Sequence, residues 1–219
     1  MTDGRYQYLR DPAAIYAESF AAIEREADLS VVPEDLRPLA VRVIHACGMT
    51  DAVHDLAADP HAVSAARAAL VAGHPVLTDV EMVARGVISR RLKGPVVCTL
   101  KRPEVDLIAR RHGTTRSAAA VDLWRDKLFG AVVAIGNAPT ALFRLLELLH
   151  EGAPRPAVIL GFPVGFVGAI ESKEALIEDA PKLGVPFITL RGRRGGSAMA
   201  AAAVNALAAP LSVEQEERR

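Results

Sequence analysis

The second two-thirds of the chain is punctuated by short, unbroken apolar runs, with amphipathic stretches filling the intervals. The runs are Pro75-Val76-Leu77-Thr78, Val96-Val97-Cys98-Thr99-Leu100, Ala131-Val132-Val133-Ala134-Ile135, Ala157-Val158-Ile159-Leu160 and Pro186-Phe187-Ile188-Thr189-Leu190. Each is rich in β-branched residues and too short for a helix, so each predicts a strand. Apolarity is continuous rather than alternating, as in strands buried on both faces. The first part of the chain instead carries helical periodicity. Asp11-Pro12 is a cap followed by proline at a first helical position, and Ile15, Ser19, Phe20 and Ile23 recur at helical spacing up to about Glu26. Pro33-Glu34-Asp35-Leu36 opens a second helix that Gly48 stops, and Asp59-Pro60 opens a third that ends at Gly73.

Strands buried on both faces and separated by helical stretches predict an α/β fold of three layers. Five strands fit the doubly wound, flavodoxin-like plan, a five-stranded parallel sheet in the order 2-1-3-4-5 with added N-terminal helices, better than a closed eight-stranded barrel. The expected organisation is one domain over residues 1–212, with residues 213–219 a charged, frayed tail.

The second helix carries the first candidate for chemistry. On a helical wheel of roughly 100° per residue, Leu36, Leu39, Ala40, Val43 and Cys47 form one apolar stripe. His45 points away from it, on the side of Val41 and Arg42. A cation is favoured at a helix C-terminus, which suits a proton donor better than a metal ligand. A surface histidine on the solvent side of an amphipathic helix is the competing reading.

Composition narrows the partners. Lysine and arginine number 26 and aspartate and glutamate 26, so net charge points to neither nucleic acid nor a membrane surface. Cys47 and Cys98 are far apart, which indicates neither a disulfide framework nor a structural zinc site. The start lacks an apolar leader, and no apolar run reaches the roughly 18 residues of a membrane span. A cytoplasmic protein is expected. His54, His61, His74, His112 and His150 share no ligand spacing, so no metal site is read.

In a doubly wound sheet, ligands lie outside the carboxyl ends of the strands. Here those ends are polar: Thr78-Asp79, Lys101-Arg102, Gly136-Asn137-Ala138-Pro139-Thr140, Gly161 to Gly165, and Arg191 to Ser197. Asn137 before Pro139 reads as a capped helix start, and Gly195-Gly196-Ser197 as a tight loop entering an alanine-rich helix. Each would offer backbone N–H groups at a positive dipole end. Lys101, Arg191, Arg193 and Arg194 add cationic side chains to the same rim, so the expected ligand is an anion, such as one with several carboxylates. Gly161, Gly165 and Gly168 lack the Gly-x-Gly start of a dinucleotide site, and no phosphate loop or nucleophile elbow is present.

Several segments together resemble the precorrin-8X methylmutase family. They are Tyr8-Leu9-Arg10-Asp11-Pro12 with Ile15 and Ser19; Val43-Ile44-His45; Thr78-Asp79 with Met82, Val83 and Gly86; Thr115-Arg116-Ser117-Ala118; and Gly136-Asn137-Ala138-Pro139-Thr140. Further on come Gly165-Phe166-Val167-Gly168-Ala169 with Glu171-Ser172-Lys173, and Gly192-Arg193-Arg194-Gly195-Gly196-Ser197. The resemblance covers most of the chain. It implies a 1,5-sigmatropic methyl shift from C-11 to C-12 of precorrin-8X to give hydrogenobyrinic acid, or its cobalt-containing analogue from cobalt-precorrin-8, with no added cofactor. His45 would then be the catalytic group. Ser19, Thr78, Asp79, Lys101, Arg116, Asn137, Thr140, Arg193, Arg194, Gly195, Gly196 and Ser197 would bind a substrate ringed by carboxylate arms. Phe162, Val164, Phe166 and Val167 would cover its faces. The resemblance also implies a homodimer and a hand-over of product to the next corrin-pathway enzyme. A non-catalytic tetrapyrrole carrier and an unrelated anion-binding doubly wound domain are the alternatives; His45, standing off its helix's core stripe, favours the enzyme.

Overall fold

In the computed structural model, which describes residues 6–209, the chain forms a mixed six-stranded sheet. Its strands are β1 (Leu56–Ala58), β2 (Val76–Thr78), β3 (Val96–Cys98), β4 (Val132–Ile135), β5 (Val158–Gly161) and β6 (Phe187–Leu190). They lie in the order β1-β6-β5-β4-β2-β3. All neighbours run parallel except β1, which pairs antiparallel with β6 through Leu56↔Leu190 and Ala58↔Ile188. The expected all-parallel sheet of five strands therefore becomes a mixed sheet of six. Its additional edge strand is a Leu-Ala-Ala segment with no β-branched residue to announce it.

Alternation along each strand divides the core. Val76, Val132, Ala134, Val158, Leu160 and Ile188 pack on one face with α2 (Arg37–Cys47), α3 (Ala62–Ala72) and α9 (Ser197–Leu207). Leu77, Val133, Ile135, Ile159 and Phe187 pack on the other with α7 (Pro139–His150) and α8 (Ala169–Leu183). Because both faces are covered, successive residues of a strand are all apolar, which is why the runs are continuous. α1 (Pro12–Glu26) lies outside α2 and buries only Ile23. α4 (Glu81–Gly86), α5 (Glu104–His112) and α6 (Arg116–Asp122) complete the helices.

Two helix starts differ from expectation. The segment Glu34–Leu36 is a 3-10 turn, and α2 begins at Arg37. Had the α-helix opened at Glu34, Pro38 would have had to donate an amide hydrogen it lacks, whereas in the first turn of a helix that donor is not needed. α3 begins at Ala62, because Asp59 holds the preceding turn through its side chain on the His61 amide and its carbonyl on the Ala62 amide. The tail expected at residues 213–219 lies outside the described residues.

Candidate active site

His45 sits in the last turn of α2, which ends at Gly48 with φ 69°, a left-handed value suited to glycine. The side chain is exposed, yet it does not simply face solvent. Its ring stacks on Phe20 of α1, centroids 5.2 Å apart at 16°, and lies 5.7 Å from Tyr16. Arg42, one turn back, donates from Nη1 to the Tyr16 hydroxyl at 2.7 Å, with its guanidinium 5.7 Å from the Phe20 ring. The side of α2 that reads as polar is thus partly covered by α1, and Val41 on it is buried. Ser19, beside Phe20, is half-buried.

After Gly48 the chain makes a 3-10 segment, Thr50–Asp55, and enters β1, whose first residue pairs with the last residue of β6. The end of the His45 helix is thereby delivered to the carboxyl edge of the sheet. Arg191 follows at that edge and its amide donates to the Asp55 carbonyl at 2.7 Å.

The rim is built around Asp79. β2 and β4 are neighbours at which the chain order reverses, and Asp79 follows β2 there. Its fully buried carboxylate accepts from the amides of Gly136, Asn137 and Ala138, each at 2.9 Å. Burial raises its pKa, while the three amide bonds pull in the opposite direction. The N–H groups expected to receive an anion after β4 are therefore occupied by the protein's own carboxylate. Asn137 does not cap α7; the cap position is Ala138, with no side-chain cap bond. Thr140 in the first turn meets Thr115, Oγ1 to Oγ1, at 2.8 Å. Thr78 is also fully buried, directed to the Val97 carbonyl at 3.4 Å. As the chain stands, Thr78 and Asp79 support the rim from below, and Asn137 is its exposed member.

The loops after β4, β5 and β6 are laced together. Val164 donates its amide to the Asn137 carbonyl at 3.4 Å, Gly165 to the Arg193 carbonyl at 3.4 Å, and Gly196 to the Phe162 carbonyl at 2.8 Å. A Cβ on Gly195 would lie 2.4 Å from the Phe162 and Pro163 carbonyl oxygens, and one on Gly136 would lie 2.8 Å from the Ser197 Cα. Only glycine permits both approaches, which bring the start of α9 beside the β4 loop.

The cationic side chains divide by partner. Arg194 donates to Asp51 at 2.8 Å and Asp55 at 2.5 Å, and Arg191 pairs with Glu174. Arg193 is exposed, its guanidinium 5.2 Å from the Phe166 ring, with no ion pair among the described residues. Arg116 holds Asp106 at 2.8 Å and the Leu100 carbonyl at 3.3 Å, and Lys101 lies 3.9 Å from Glu81; both remain exposed at the ends of β3 and α6. Phe162 is fully buried in the core and cannot cover a ligand, whereas Phe166 is 84% and Val167 89% exposed. The packing of Arg42 on Tyr16 and Phe20 depends on how α1 crosses α2, which helical periodicity does not encode. Among the described residues, no three or more of His, Cys, Asp and Glu cluster as metal ligands, and no helix is long and apolar enough to cross a membrane.

A family model described as precorrin-8X methylmutase matches residues 14–210. The chain is 61% identical over 203 residues to the precorrin-8X methylmutase of Pseudomonas aeruginosa, covering 92% of this chain and 97% of that protein. It is 58% identical to the precorrin-8X methylmutase of a Sinorhizobium species, covering 94% and 98%. The solved structure of precorrin-8X methylmutase from Thermus thermophilus superposes with a TM-score of 0.80 at 39% identity, over 90% of this chain and 94% of that one. With matches of this length, the chain belongs to the precorrin-8X methylmutase family.

Proposed function

We propose that this protein moves the methyl group of precorrin-8X from C-11 to C-12, giving hydrogenobyrinic acid. The bond from the methyl carbon to C-11 breaks as the bond to C-12 forms, and the product has the same atoms as the substrate. His45 donates a proton, or a hydrogen bond, to the macrocycle so that electron density favours migration. The proton returns as the product tautomerises. The observation that carries the reading is His45 at a helix end, held by Phe20 and delivered to the carboxyl edge of the sheet. Arg193, Arg116, Lys101, Asn137, Thr140 and the Gly195-Gly196-Ser197 entry to α9 anchor the carboxylate arms. Exposed Phe166, Val167 and Val164 lie against a macrocycle face.

The cobalt-free substrate is supported by the 61% and 58% identities to precorrin-8X methylmutases, against 37% to the cobalt-precorrin-8 methylmutase of Priestia megaterium. Residues 1–212 act as one unit in the cytoplasm. The working form is a homodimer that passes its product to the next corrin-pathway enzyme; exposed Tyr8, Leu9 and Ile15 near the N-terminus support a covered surface there.

The test is His45→Ala, with isomerisation followed by absorption and product binding by titration. A positioned proton donor is worth about 10²–10⁴ in rate, so turnover falls by that factor while much of the binding remains. Near-wild-type turnover would sink the assignment, and loss of all binding would make His45 an anchor instead.

A further inference from the structure

Lys173 takes no part in the chemistry above, yet its charged side chain is fully buried. It lies in the second turn of α8 and donates from Nζ to the Arg194 carbonyl at 2.7 Å. Asp55 and Glu174 are the carboxylates whose charges act on it. Removing an ammonium from water costs several kcal/mol, so an apolar side chain of similar length would satisfy packing alone at less cost. What the lysine adds is a tie to one particular backbone atom.

That atom belongs to a turn held from both sides. The Arg194 carbonyl faces α8, and its guanidinium reaches Asp51 and Asp55 in the segment that follows the His45 helix. Arg191 repeats the pattern, with its amide on the Asp55 carbonyl and its guanidinium on Glu174 of α8. Lys173, Arg191 and Arg194 are thus matched by Asp51, Asp55 and Glu174, which leaves Arg193 as the arginine of this turn open to a ligand. Two residues beyond Arg194, Gly196 donates to the Phe162 carbonyl and the chain enters α9.

We propose that Lys173 is a positioning residue for the methyl shift: through the Arg194 carbonyl it fixes the 191–197 turn relative to the end of the His45 helix, so that donor and anchors address one macrocycle. This rests on the reading of His45 as donor and of the turn as anchor. A rim displaced by about 1 Å costs on the order of 10² in rate, whereas binding shared among several anchors is lost less steeply.

The experiment compares wild type, Lys173→Met and Asp55→Asn in the full chain, with precorrin-8X as substrate and hydrogenobyrinic acid as the titrated product. Asp55→Asn loosens the same turn from the other side and decides the matter if Lys173→Met does not fold. The expected result is a kcat lowered roughly tenfold to hundredfold, a much smaller change in product Kd, and faster amide exchange at residues 191–197. Unchanged kcat in the folded variants would overturn the proposal, as would a Kd weakened as much as kcat falls, which is the signature of an anchor. Wild type that fails to turn over precorrin-8X would instead overturn the parent reading, and the positioning role with it.

Discussion

Replacing Asp79 tests how the rim is held. In Asp79→Ala the amides of Gly136, Asn137 and Ala138 lose their shared acceptor. Asn137 is exposed and its amide can turn to water, but Gly136 and Ala138 are buried. Each orphaned buried N–H costs about 1–3 kcal/mol, so two give about 2–6 kcal/mol. Part is returned, because burial of this carboxylate is itself unfavourable, as its raised pKa records. A net loss of about 2–4 kcal/mol is expected, within the range for breaking a buried hydrogen-bond network. Asp79→Asn should lose less, since one oxygen can keep two amides while the new NH₂ group faces the third. The assay is urea unfolding of the three proteins, with product titration on the folded variants. The β4 loop should loosen and product bind more weakly, although Asp79 itself is fully buried. A loss below about 1 kcal/mol in the alanine variant, a single ordinary hydrogen bond's worth, would refute the view that this carboxylate organises the rim.

Two further outcomes follow from the site. Arg193→Ala should weaken product binding by about 1–3 kcal/mol, the worth of a charge-assisted hydrogen bond, and titration of both proteins checks it; an unchanged affinity would make Arg193 a solvated turn residue. Burial pushes the Lys173 pKa down to about 8 from its ordinary 10.5, so between those values the unfolded chain binds the extra proton and stability rises with pH. The stability of wild type relative to Lys173→Met should therefore climb from pH 7 to pH 10, as read by denaturant midpoints; a flat difference would mean that the ammonium is not desolvated.

Much of the fold is legible in the sequence because burial on both faces leaves an unmistakable mark: Val132 to Ile135 has no polar position at all. β1 is not legible, since Leu56–Ala58 owes its strand conformation to pairing with β6 rather than to its own residues. The His45 helix is legible in its stripe and its stop, but its start is displaced by Pro38 and its covered side requires knowing where α1 lies. At the rim, the residue types read as donors to anions, but not which donors are taken by the protein's own carboxylates. Asp79 reads as a ligand contact because three amides more than fifty positions downstream cannot be assigned to it from spacing. Arg194 looks as available as Arg193 until Asp51 and Asp55 are brought beside it. Lys173 stands within a motif, yet only its burial reveals an unusual lysine.

The pairing of β1 with β6 has a consequence for how the chain comes to be active. Leu56 and Leu190 are joined across well over half the sequence, and such distant contacts form late because the loop between them must first be closed. During synthesis from the N-terminus, His45 emerges early, but the strand that fixes its helix end and the turn that faces it emerge only after β5. A nascent or truncated chain that stops before β6 carries His45 without the 191–197 turn and without the pairing that holds its helix end. On the reading of His45 as donor and that turn as anchor, the complete site is assembled only once β6 and α9 are in place.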